Sequence, residues 1–331
     1  MTKIAINGFG RIGRTSARII FDKHPDLELV AINDLTDNKT LAHLLQYDTQ
    51  YRKFDKKVEF DEEHLIVDGK KIKSFAEKDP SKLPWKDLGV DVVLECTGRF
   101  TDKESAMGHV TAGAKRVIIS APPKDDVNMY VIGVNDDKLG SDEVISNASC
   151  TTNCIMPVAE IINRHFGISK AMMTTIHAYT ADQNLQDGPH KDLRRSRAAA
   201  ESIVPTSTGA AKAAFAIIPE LKGIFDGLSL RVPTPVVSLS DFTFLLKKKV
   251  TVEEINQALT EGAGEARYKN VFEVTNEELV SSDFIGNPAS SVADLRLTQV
   301  VDGDLVKVVA WYDNEFGYSN RLVELAGKAA K

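Results

Sequence analysis

The sequence is short of several features that would each place a protein in a particular class. Only three cysteines occur among 331 residues, too few and too odd a number for a disulfide framework. No apolar run approaches the roughly 20 residues that cross a bilayer. The first residues run directly into a strand pattern, without the basic and hydrophobic regions of a secretory signal. We therefore expect a cytoplasmic protein in a reducing compartment.

An excess of positive charge is also absent. The formal net charge is −6, with 41 Lys and Arg against 47 Asp and Glu, which disfavours general affinity for nucleic acid or for a membrane surface. Internal repeats and low-complexity tracts are missing too. A chain of 331 residues is nevertheless longer than one ordinary core, so we expect two domains.

What the sequence does contain is a run of small and hydroxyl-bearing residues near its midpoint, at positions 146–154. It separates a short strand pattern from a helical pattern that ends at Gly167, so Cys150 falls at or just before the first helical turn. Unpaired amide groups and the positive end of the dipole favour a thiolate there. Cys150 and Cys154 could also be a metal or redox pair, but zinc would need two more ligands, and Cys96 stands alone. We predict a reactive Cys150, an inert Cys154 and no metal site.

A glycine-rich turn follows the first predicted strand. Residues 3–7 alternate as a strand does, and Gly8, Gly10 and Gly13 then open a helical pattern. In such a turn the first glycine permits the tight bend, the second lets the backbone approach a pyrophosphate, and the third lets helix and strand pack closely. A second buried strand leads to Asp34, which is placed for ribose hydroxyls and would repel a 2′-phosphate. We therefore predict NAD rather than NADP as the cofactor.

Further strands indicate the fold class of the first half. Residues 91–95 and 116–120 have the pattern of buried strands, with helical segments between them, and residues 129–134 have the pattern of another strand. Strands that alternate with helices indicate a doubly wound parallel sheet of the Rossmann type, with its ligand at the carboxyl ends of the strands. Thr97 and Ser120 lie at two of those ends, either as cofactor contacts or as ordinary strand-terminating turns.

The pattern changes after the Cys150 helix and indicates a mostly antiparallel sheet in an α+β arrangement. We therefore predict the α/β class, with a Rossmann NAD-binding domain over residues 1–149 and a catalytic domain over residues 150–314. The C-terminal helix, residues 315–331, is expected to pack back on the first domain. The strands predicted for the second half lie at residues 170–177, 226–230 and 235–248 and near 271, 291 and 306–311.

Several candidate site residues lie in this second half. His177 ends a strand on which it shares a face with Thr175, and thiol catalysis needs an imidazole close to the cysteine. A polar loop, residues 179–202, carries four basic residues within seven positions. These suit a phosphate or carboxylate ligand or ion pairs with a partner subunit, with nucleic acid as the weaker alternative. Thr208 and Gly209 open a helix, and helix starts of this kind bind anions.

An activated thiol and a nicotinamide cofactor together indicate aldehyde oxidation. A thiolate adds to an aldehyde carbonyl and forms a tetrahedral adduct, which can expel a hydride to the cofactor. The product is a thioester, which keeps the acyl group activated for a second nucleophile.

Four motifs carry a resemblance that extends over the whole chain. The segments NGFGRIGR, SCTTNC, RVPTP and WYDNE, which begin at residues 7, 149, 231 and 311, resemble in order and spacing those of the glyceraldehyde-3-phosphate dehydrogenase family. The resemblance implies NAD-dependent, phosphorylating oxidation of D-glyceraldehyde 3-phosphate to 1,3-bisphosphoglycerate in glycolysis and gluconeogenesis. It also implies a homotetramer in which the polar loop, residues 179–202, packs between subunits.

The resemblance also implies roles for individual residues. It makes Cys150 the nucleophile and His177 its acid–base partner. Residues implied to hold the substrate's own phosphate, or to lie beside it, are Thr180, Asp182, Arg195 and Arg231. Residues implied to hold the attacking inorganic phosphate are Ser149, Thr151, Thr208 and Gly209. Together with the strand-end positions, the predicted cofactor contacts are Gly8, Gly10, Arg11, Ile12, Gly13, Asp34, Lys78, Thr97, Ser120 and Asn314.

Some positions depart from the family pattern, and other functions stay open. Tyr51-Arg52 stands where His-Gly is common, Cys96 replaces a small residue, and Lys78 stands where Arg is frequent. One alternative is the same mechanism with another aldehyde, such as erythrose 4-phosphate or a semialdehyde. Another is an NAD-binding redox sensor without turnover.

Overall fold

Two structural units make up the chain in the computed structural model, which describes residues 1–330 apart from the side chains at positions 211 and 212. Unit 1 comprises residues 1–130, residues 138–148 and the chain from Ser319 onwards. Unit 2 comprises residues 131–137 and 149–318.

Unit 1 is built on an eight-stranded sheet with helices between its strands. Its strands are β1 Thr2–Asn7, β2 Leu27–Asn33, β3 Tyr47–Asp48, β4 Arg52–Lys53, β5 Val58–Phe60, β6 His64–Val67, β7 Lys70–Phe75, β8 Val92–Glu95, β9 Arg116–Ile119 and β10 Val144–Ser146. Its helices are α1 Arg11–Lys23, α2 Asn38–Gln46, α3 Trp85–Leu88 and α4 Lys103–Thr111.

The strand order of this sheet is β10-β9-β8-β1-β2-β7-β6-β5, and β3 pairs with β4 apart from it. The strands from β10 to β7 are parallel, while β6 and β5 add an antiparallel edge. Short buried runs such as that of β8 suit strands that are covered on both faces. The predicted Rossmann-type parallel sheet is confirmed.

The register of this sheet brings three strand ends side by side. Asn7 at the end of β1 pairs with Asn33 at the end of β2 and with Glu95 at the end of β8. All three side chains are buried. The carboxyl edge of the sheet therefore carries adjacent buried polar groups, directly where a ligand of such a sheet binds.

One predicted strand does not form. Residues 129–134 contain only an isolated bridge between Met129 and Ser146, and a turn follows it. The amide of Asn135 donates to the Val131 carbonyl oxygen, and the Asn135 side chain accepts from the Val131 amide. These local hydrogen bonds replace the ladder that the apolar pattern suggested, because turn formation competes for the same backbone groups.

Unit 2 contains the second sheet, in the order β12-β13-β11-β14-β18-β16-β15, with β17 paired to β18. Its strands are β11 Ile168–Ala178, β12 Val204–Thr206, β13 Phe225–Val232, β14 Ser238–Leu246, β15 Phe272–Thr275, β16 Ser291–Asp294, β17 Gln299–Val301 and β18 Leu305–Tyr312. Its helices are α5 Cys150–Phe166, α6 Ala210–Ile217 and α7 Val252–Ala263. Among the strands that the structure describes in this sheet, only β11–β13 and β15–β16 pair in parallel, so the predicted mostly antiparallel sheet is confirmed.

The last helix, α8 Phe316–Ala329, enters unit 1 at Ser319. There the Asn320 side chain accepts from the Lys23 ammonium, and the Ala329 carbonyl oxygen accepts from Arg116. Lys331, with which the predicted terminal helix ends, lies outside the described residues. No helix among residues 1–330 is both long enough and apolar enough to cross a bilayer.

Candidate active site

Cys150 is the first residue of α5, and local sequence explains why the helix begins there. The preceding residue, Ser149, is extended, and its hydroxyl accepts from the Thr152 amide at 3.0 Å. Serine at this position satisfies an amide that has no partner within the helix. Gly167 ends the helix with a positive φ of 69°. The predicted position of Cys150 in the first helical turn is confirmed.

The thiol of Cys150 faces the imidazole of His177. Cys150 Sγ lies 3.4 Å from His177 Nε2, although 27 positions separate the residues in sequence. On its other side, His177 Nδ1 lies 2.7 Å from the Ala178 carbonyl oxygen. A carbonyl oxygen only accepts, so Nδ1 must carry a hydrogen, and the neutral ring presents Nε2 as an acceptor for the thiol proton.

Burial decides the ionisation of this pair. His177 is only 4% exposed, and burial lowers its pKa to about 3, assisted by the positive charge of Arg231. Burial also raises the pKa of the Cys150 thiol, an effect that Arg231 and hydrogen bonds from Thr151 oppose without reversing it. The backbone amides at the helix start lower the pKa of this thiol, as expected, but burial has the larger effect.

Two arginines and two carboxylates form a charged cluster beside this pair. Arg231 Nη1 donates to the Thr180 hydroxyl at 2.7 Å and to the Ala178 carbonyl oxygen at 3.1 Å. The Thr180 hydroxyl donates in turn to Asp182, and Arg195 pairs with the other oxygen of that carboxylate at 2.6 Å. Burial acts to raise the pKa of Asp182, but the Thr180 hydroxyl and both arginines hold it below its ordinary value. Asp192 Oδ2 also lies 3.7 Å from Arg195 Nε, so the cluster contains two guanidinium groups and two carboxylates. Guanidinium groups are the donors that suit a phosphate or carboxylate ligand.

Arg195 itself is held by residues that sequence reasoning missed. Its Nε donates to the Thr206 hydroxyl at 2.9 Å, and that hydroxyl donates to Asp192 at 3.1 Å. Thr206 ends β12, at the exit of the polar loop. The density of basic residues in the loop indicated an anion site. Nothing in the sequence, however, showed which of these basic residues contacts Thr206 and Asp182.

The Tyr312 hydroxyl is a second feature that sequence reasoning missed. It lies 2.9 Å from the Thr151 hydroxyl and 2.8 Å from that of Thr175. The ring is edge-on to the His177 imidazole, with 6.0 Å between centroids. Burial raises the pKa of Tyr312, so the hydroxyl stays neutral. Tyr312 thus ties the first turn of α5 to the strand of the imidazole.

Asn314 is joined to the same strand end through Ser238. The Ser238 hydroxyl donates to Asn314 Oδ1 at 3.0 Å and accepts the Ala178 amide at 3.1 Å. Because the oxygen of the Asn314 amide is engaged in this way, its Nδ2 group is the one presented to a ligand. The residue before Ser238, Val237, has a φ of 71°, a left-handed conformation that is unusual for a β-branched side chain.

The residues implied for inorganic phosphate lie at the starts of two helices. Ser149 caps α5, and Thr151 lies in its first turn. Gly209 is the N-cap residue of α6, where it makes no side-chain cap and has open space beside it, and Thr208 Oγ1 accepts the Ala210 amide at 3.2 Å. Helix α6 packs against α5. No hydrogen bond joins Thr208 or Gly209 to Cys150 among the residues that the structure describes.

A crevice of about 280 Å³ opens at the carboxyl edge of the unit 1 sheet. Asn7 and Asn33 line it, and so does Gly10, the N-cap residue of α1, which provides no side-chain cap. Uncapped amides at such a helix start suit a pyrophosphate. The predicted cofactor residues that line it are Gly8, Gly10, Asp34, Lys78 and Thr97.

Close backbone packing explains two of the glycines at this crevice. Gly8 has a φ of 90°, and a Cβ there would lie 2.7 Å from the backbone of Cys96 and Thr97. A Cβ on Gly13 would lie 2.2 Å from the Gly8 carbonyl oxygen. Both positions therefore exclude a side chain, and the resulting cradle at the strand ends fits a dinucleotide.

Three other predicted cofactor residues, Arg11, Ile12 and Ser120, do not line the crevice. Arg11 and Ile12 lie in the first turn of α1, and the Arg11 guanidinium pairs with Asp48. The Asp34 carboxylate accepts the Phe9 amide at 2.8 Å. Ser120 follows β9 and does not belong to the residues that line the crevice.

Comparison with known protein families matches both parts of the chain. Residues 2–103 match the family model described as the glyceraldehyde 3-phosphate dehydrogenase NAD binding domain. Residues 149–314 match the model described as the C-terminal domain of the same enzyme. The resemblance stated from the four motifs is thereby confirmed, and so are the predictions of an NAD-dependent enzyme and of NAD as its cofactor.

Individual relatives are similar over almost their whole length. A glyceraldehyde-3-phosphate dehydrogenase from Geobacillus stearothermophilus is 54% identical over 330 residues, which cover 99% of this chain and 98% of that protein. One from Clostridium pasteurianum is 55% identical over 337 residues, covering 100% of this chain and 99% of that protein. Glyceraldehyde-3-phosphate dehydrogenase 1 of Bacillus subtilis is 53% identical over 331 residues, covering 99% and 98%. With both domain models matched and full-length relatives at this identity, the chain belongs to the glyceraldehyde-3-phosphate dehydrogenase family.

Proposed function

We propose that the protein oxidises D-glyceraldehyde 3-phosphate to 1,3-bisphosphoglycerate, using NAD and inorganic phosphate, as a step of glycolysis and gluconeogenesis. The observation that carries this proposal is the 3.4 Å approach of Cys150 Sγ to an imidazole nitrogen that must be an acceptor. A thiol with a proton acceptor at this distance is equipped to add to a carbonyl carbon. The adjacent arginine cluster supplies a place for the phosphate of the substrate.

In the first step, Cys150 Sγ attacks the aldehyde carbon while His177 Nε2 accepts the thiol proton. The C–S bond forms as the S–H bond breaks, so the thiolate need not accumulate in the free enzyme. The imidazolium then returns the proton to the carbonyl oxygen, which gives a neutral thiohemiacetal on Cys150. The Ala178 carbonyl oxygen holds Nδ1–H throughout and stabilises the imidazolium while it exists.

In the second step, His177 Nε2 accepts the hydroxyl proton of the thiohemiacetal as the carbonyl of a thioester forms. NAD, when bound, supplies the hydride acceptor for this oxidation. Inorganic phosphate then attacks the thioester carbon, the C–S bond breaks, and Cys150 recovers its proton from the imidazolium. We assign this phosphate to Ser149, Thr151, Thr208 and Gly209, at two helix starts that favour an anion.

The phosphate of the substrate is proposed to bind the cluster of Thr180, Asp182, Arg195 and Arg231. Arg231 is half-buried, so a charge-assisted hydrogen bond from its guanidinium is stronger there than in water. Asp182 acts on this site indirectly, because it holds Arg195 in place.

The proposed cofactor site occupies the crevice of unit 1. Gly8, Gly10, Arg11, Ile12 and Gly13 would hold the pyrophosphate against the start of α1. Residues proposed to contact the rest of the cofactor are Asp34 for the ribose, Lys78, Thr97 and Ser120 for the dinucleotide, and Asn314 for the nicotinamide amide.

The test is NADH formation from NAD and glyceraldehyde 3-phosphate, measured with and without inorganic phosphate. Sustained turnover that requires phosphate is expected, with a single stoichiometric burst when phosphate is left out. Faster turnover of erythrose 4-phosphate under the same conditions would replace the proposed substrate. Absence of any reduction in a protein that still binds NAD would favour the redox-sensor function instead.

Three further features belong to the same proposal. The NAD-binding domain would comprise residues 1–149, with the helix 315–331 returning to it, and residues 150–314 would carry the chemistry.

A homotetramer is supported by two apolar side chains of the polar loop, Leu185 and Leu193, which are 75% and 81% exposed. Light scattering that gives the mass of one chain would contradict it. Three unpaired cysteines favour a cytoplasmic location, which cell fractionation would check.

A further inference from the structure

A buried carboxylate lies directly behind the NAD crevice of unit 1. Glu95 is 1% exposed at the end of β8. Its Oε1 accepts from the amide of Thr97 at 2.8 Å and from the Thr97 hydroxyl. Its Oε2 accepts from Asn7 Nδ2 at 2.5 Å and from His109 Nε2 at 3.1 Å. Four donors converge on this carboxyl group, so both of its buried oxygens have hydrogen-bond partners.

The direction of the His109 hydrogen bonds is set by Trp85. Trp85 Nε1 lies 3.0 Å from His109 Nδ1, and an indole N–H only donates. His109 Nδ1 is therefore an acceptor, and Nε2 carries the hydrogen that it donates to Glu95. Asn7 Nδ2, the other donor to Glu95 Oε2, lies 3.3 Å from the same nitrogen. Trp85 and His109 are both completely buried, so no water competes for these groups. The tautomer of His109 is thus determined by its neighbours.

The same chain of hydrogen bonds continues across the strand ends to the far wall of the crevice. Asn7 Oδ1 accepts from Asn33 Nδ2 at 2.7 Å. Asn33 then holds the backbone of Glu77 from both sides, because Nδ2 donates to the carbonyl oxygen and Oδ1 accepts the amide, each at 2.8 Å. Glu77 directly precedes Lys78 on the wall of the crevice. Reversal of any amide in this chain would place two donors or two acceptors face to face.

We propose that Glu95 and His109 are positioning residues for NAD: this buried chain, Trp85–His109–Glu95–Asn7–Asn33, fixes the spacing of the strand ends that form the cofactor crevice. The chain is linked directly to the crevice at two points, Glu95 and Asn33. Glu95 holds Thr97, whose backbone packs so closely on Gly8 that a Cβ would lie 2.7 Å away. Asn33 holds the segment that leads to Lys78. The inference goes beyond the proposed aldehyde chemistry and needs only that unit 1 binds NAD.

The test compares Glu95→Gln with the double variant Trp85→Phe/Glu95→Gln. In the single variant the new amide group faces donors from Asn7 and His109, and we expect NAD to bind about tenfold more weakly. In the double variant His109 is free to move its hydrogen to Nδ1 and to accept the new amide at Nε2. The donor from Asn7 still faces the new amide, so we expect NAD affinity to recover only in part, to a value between those of Glu95→Gln and the wild type.

Arg116→Met serves as the matched control for loss of stability. Arg116 begins β9, at the amino ends of the parallel strands, where it donates to the carbonyl oxygens of Ala329 and Gly140. Its loss should lower the melting temperature of the protein and leave the dissociation constant of NAD unchanged. The constants are measured by calorimetric titration without substrate, beside KM for NAD and kcat at saturating NAD. In Glu95→Gln the KM for NAD should rise, while kcat at saturating NAD should stay unchanged.

Three results would overturn the proposal. They are wild-type NAD affinity in Glu95→Gln, no recovery in the double variant, and equal weakening by Arg116→Met. Should Glu95→Gln fail to fold, His109→Phe removes a donor to Glu95 from a position that does not line the crevice, and it should weaken NAD binding in the same way. Neutron diffraction of the wild-type protein checks the polarity directly, because a hydrogen on His109 Nδ1 would contradict it. None of these results depends on reactivity at Cys150.

Discussion

His177 and Arg231 are register partners on the parallel strands β11 and β13, and both donate to one acceptor, the Ala178 carbonyl oxygen. The distances are 2.7 Å from His177 Nδ1 and 3.1 Å from Arg231 Nη1. One backbone group therefore sets the tautomer of the imidazole and the orientation of the guanidinium. The proton acceptor for Cys150 and the anion cluster are held together by this shared contact.

Arg231→Leu should separate substrate binding from chemistry. We expect KM for glyceraldehyde 3-phosphate to rise at least about tenfold, because a charge-assisted hydrogen bond to the phosphate is lost. The kcat/KM for unphosphorylated glyceraldehyde should change much less. Arg164→Met is the control, since Arg164 pairs with Glu265 on an exposed surface of the same unit. An equal loss for both aldehydes would show that Arg231 does not hold the phosphate.

His177 makes stability depend on pH. Its pKa falls from the ordinary value of 6.5 to about 3 in the folded protein, so between these values the unfolded chain binds a proton that the folded chain does not. Stability should therefore decrease as the pH falls through this window. In His177→Asn the slope of unfolding free energy against pH should be smaller by up to about 1.4 kcal/mol per pH unit.

Urea unfolding of wild type and variant at roughly pH 7 and pH 5 measures this difference. The carboxylates contribute to both proteins alike, and Asp182, whose pKa lies below its ordinary 3.8, titrates at lower pH. Parallel pH dependences would mean that His177 is not neutral in the folded protein.

The same variant should also lose thiol reactivity. Because the Cys150 proton passes to His177 Nε2, alkylation by iodoacetamide at neutral pH should slow by about 100-fold in His177→Asn. Reaction rates followed by mass spectrometry, with the labelled cysteine identified by peptide mapping, would provide the measurement. An unchanged rate would show that the thiol ionises without the imidazole.

Cys150→Ser should abolish NADH formation while leaving the dissociation constant of NAD unchanged. A serine hydroxyl is far less acidic than a thiol, and the product would be an ester in place of a thioester. Cys154→Ala is the control, because burial raises the pKa of that thiol to about 12 and makes it unreactive. Substantial turnover by Cys150→Ser would exclude Cys150 as the nucleophile.

Tyr312→Phe removes the hydroxyl that joins Thr151 to Thr175. Two buried hydroxyl groups lose their partner, so we expect the free energy of unfolding to fall by about 1–3 kcal/mol. The kcat should fall as well, because the first turn of α5 is no longer tied to the strand of His177. Tyr268→Phe is the matched control in unit 2, where the hydroxyl donates to Glu160 at 2.8 Å. If both variants lose stability and neither loses kcat, Tyr312 has only a structural role.

Local signals were enough to predict the elements that carry the site. The run of small and hydroxyl-bearing residues before the apolar pattern, and Gly167 after it, marked the ends of α5 because such signals act within a few residues. The glycines at positions 8 and 13 marked the turn between β1 and α1 for a similar reason, since each must accept a close backbone. The fold class followed from the order of such elements along the chain.

Where a local sequence pattern competes with contacts from distant residues, only the folded structure shows which conformation or ionisation state results. The apolar pattern of residues 129–134 suggested a strand, but the Asn135 side chain closes a turn there. The helix start suggested a thiolate at Cys150, but burial raises the pKa of its thiol. Burial depends on every segment that packs around a group, and a local pattern does not contain that information.

The contacts between distant residues belong wholly to the tertiary structure. Glu95 lies 88 positions from Asn7 and 14 from His109, yet one carboxylate oxygen accepts from both. Tyr312 meets Thr151 across 161 positions. Hydrogen bonds act over about 3 Å in space and carry no signature along the chain. Sequence periodicity can therefore place a residue on a face, whereas its partner is known only once the sheets have formed.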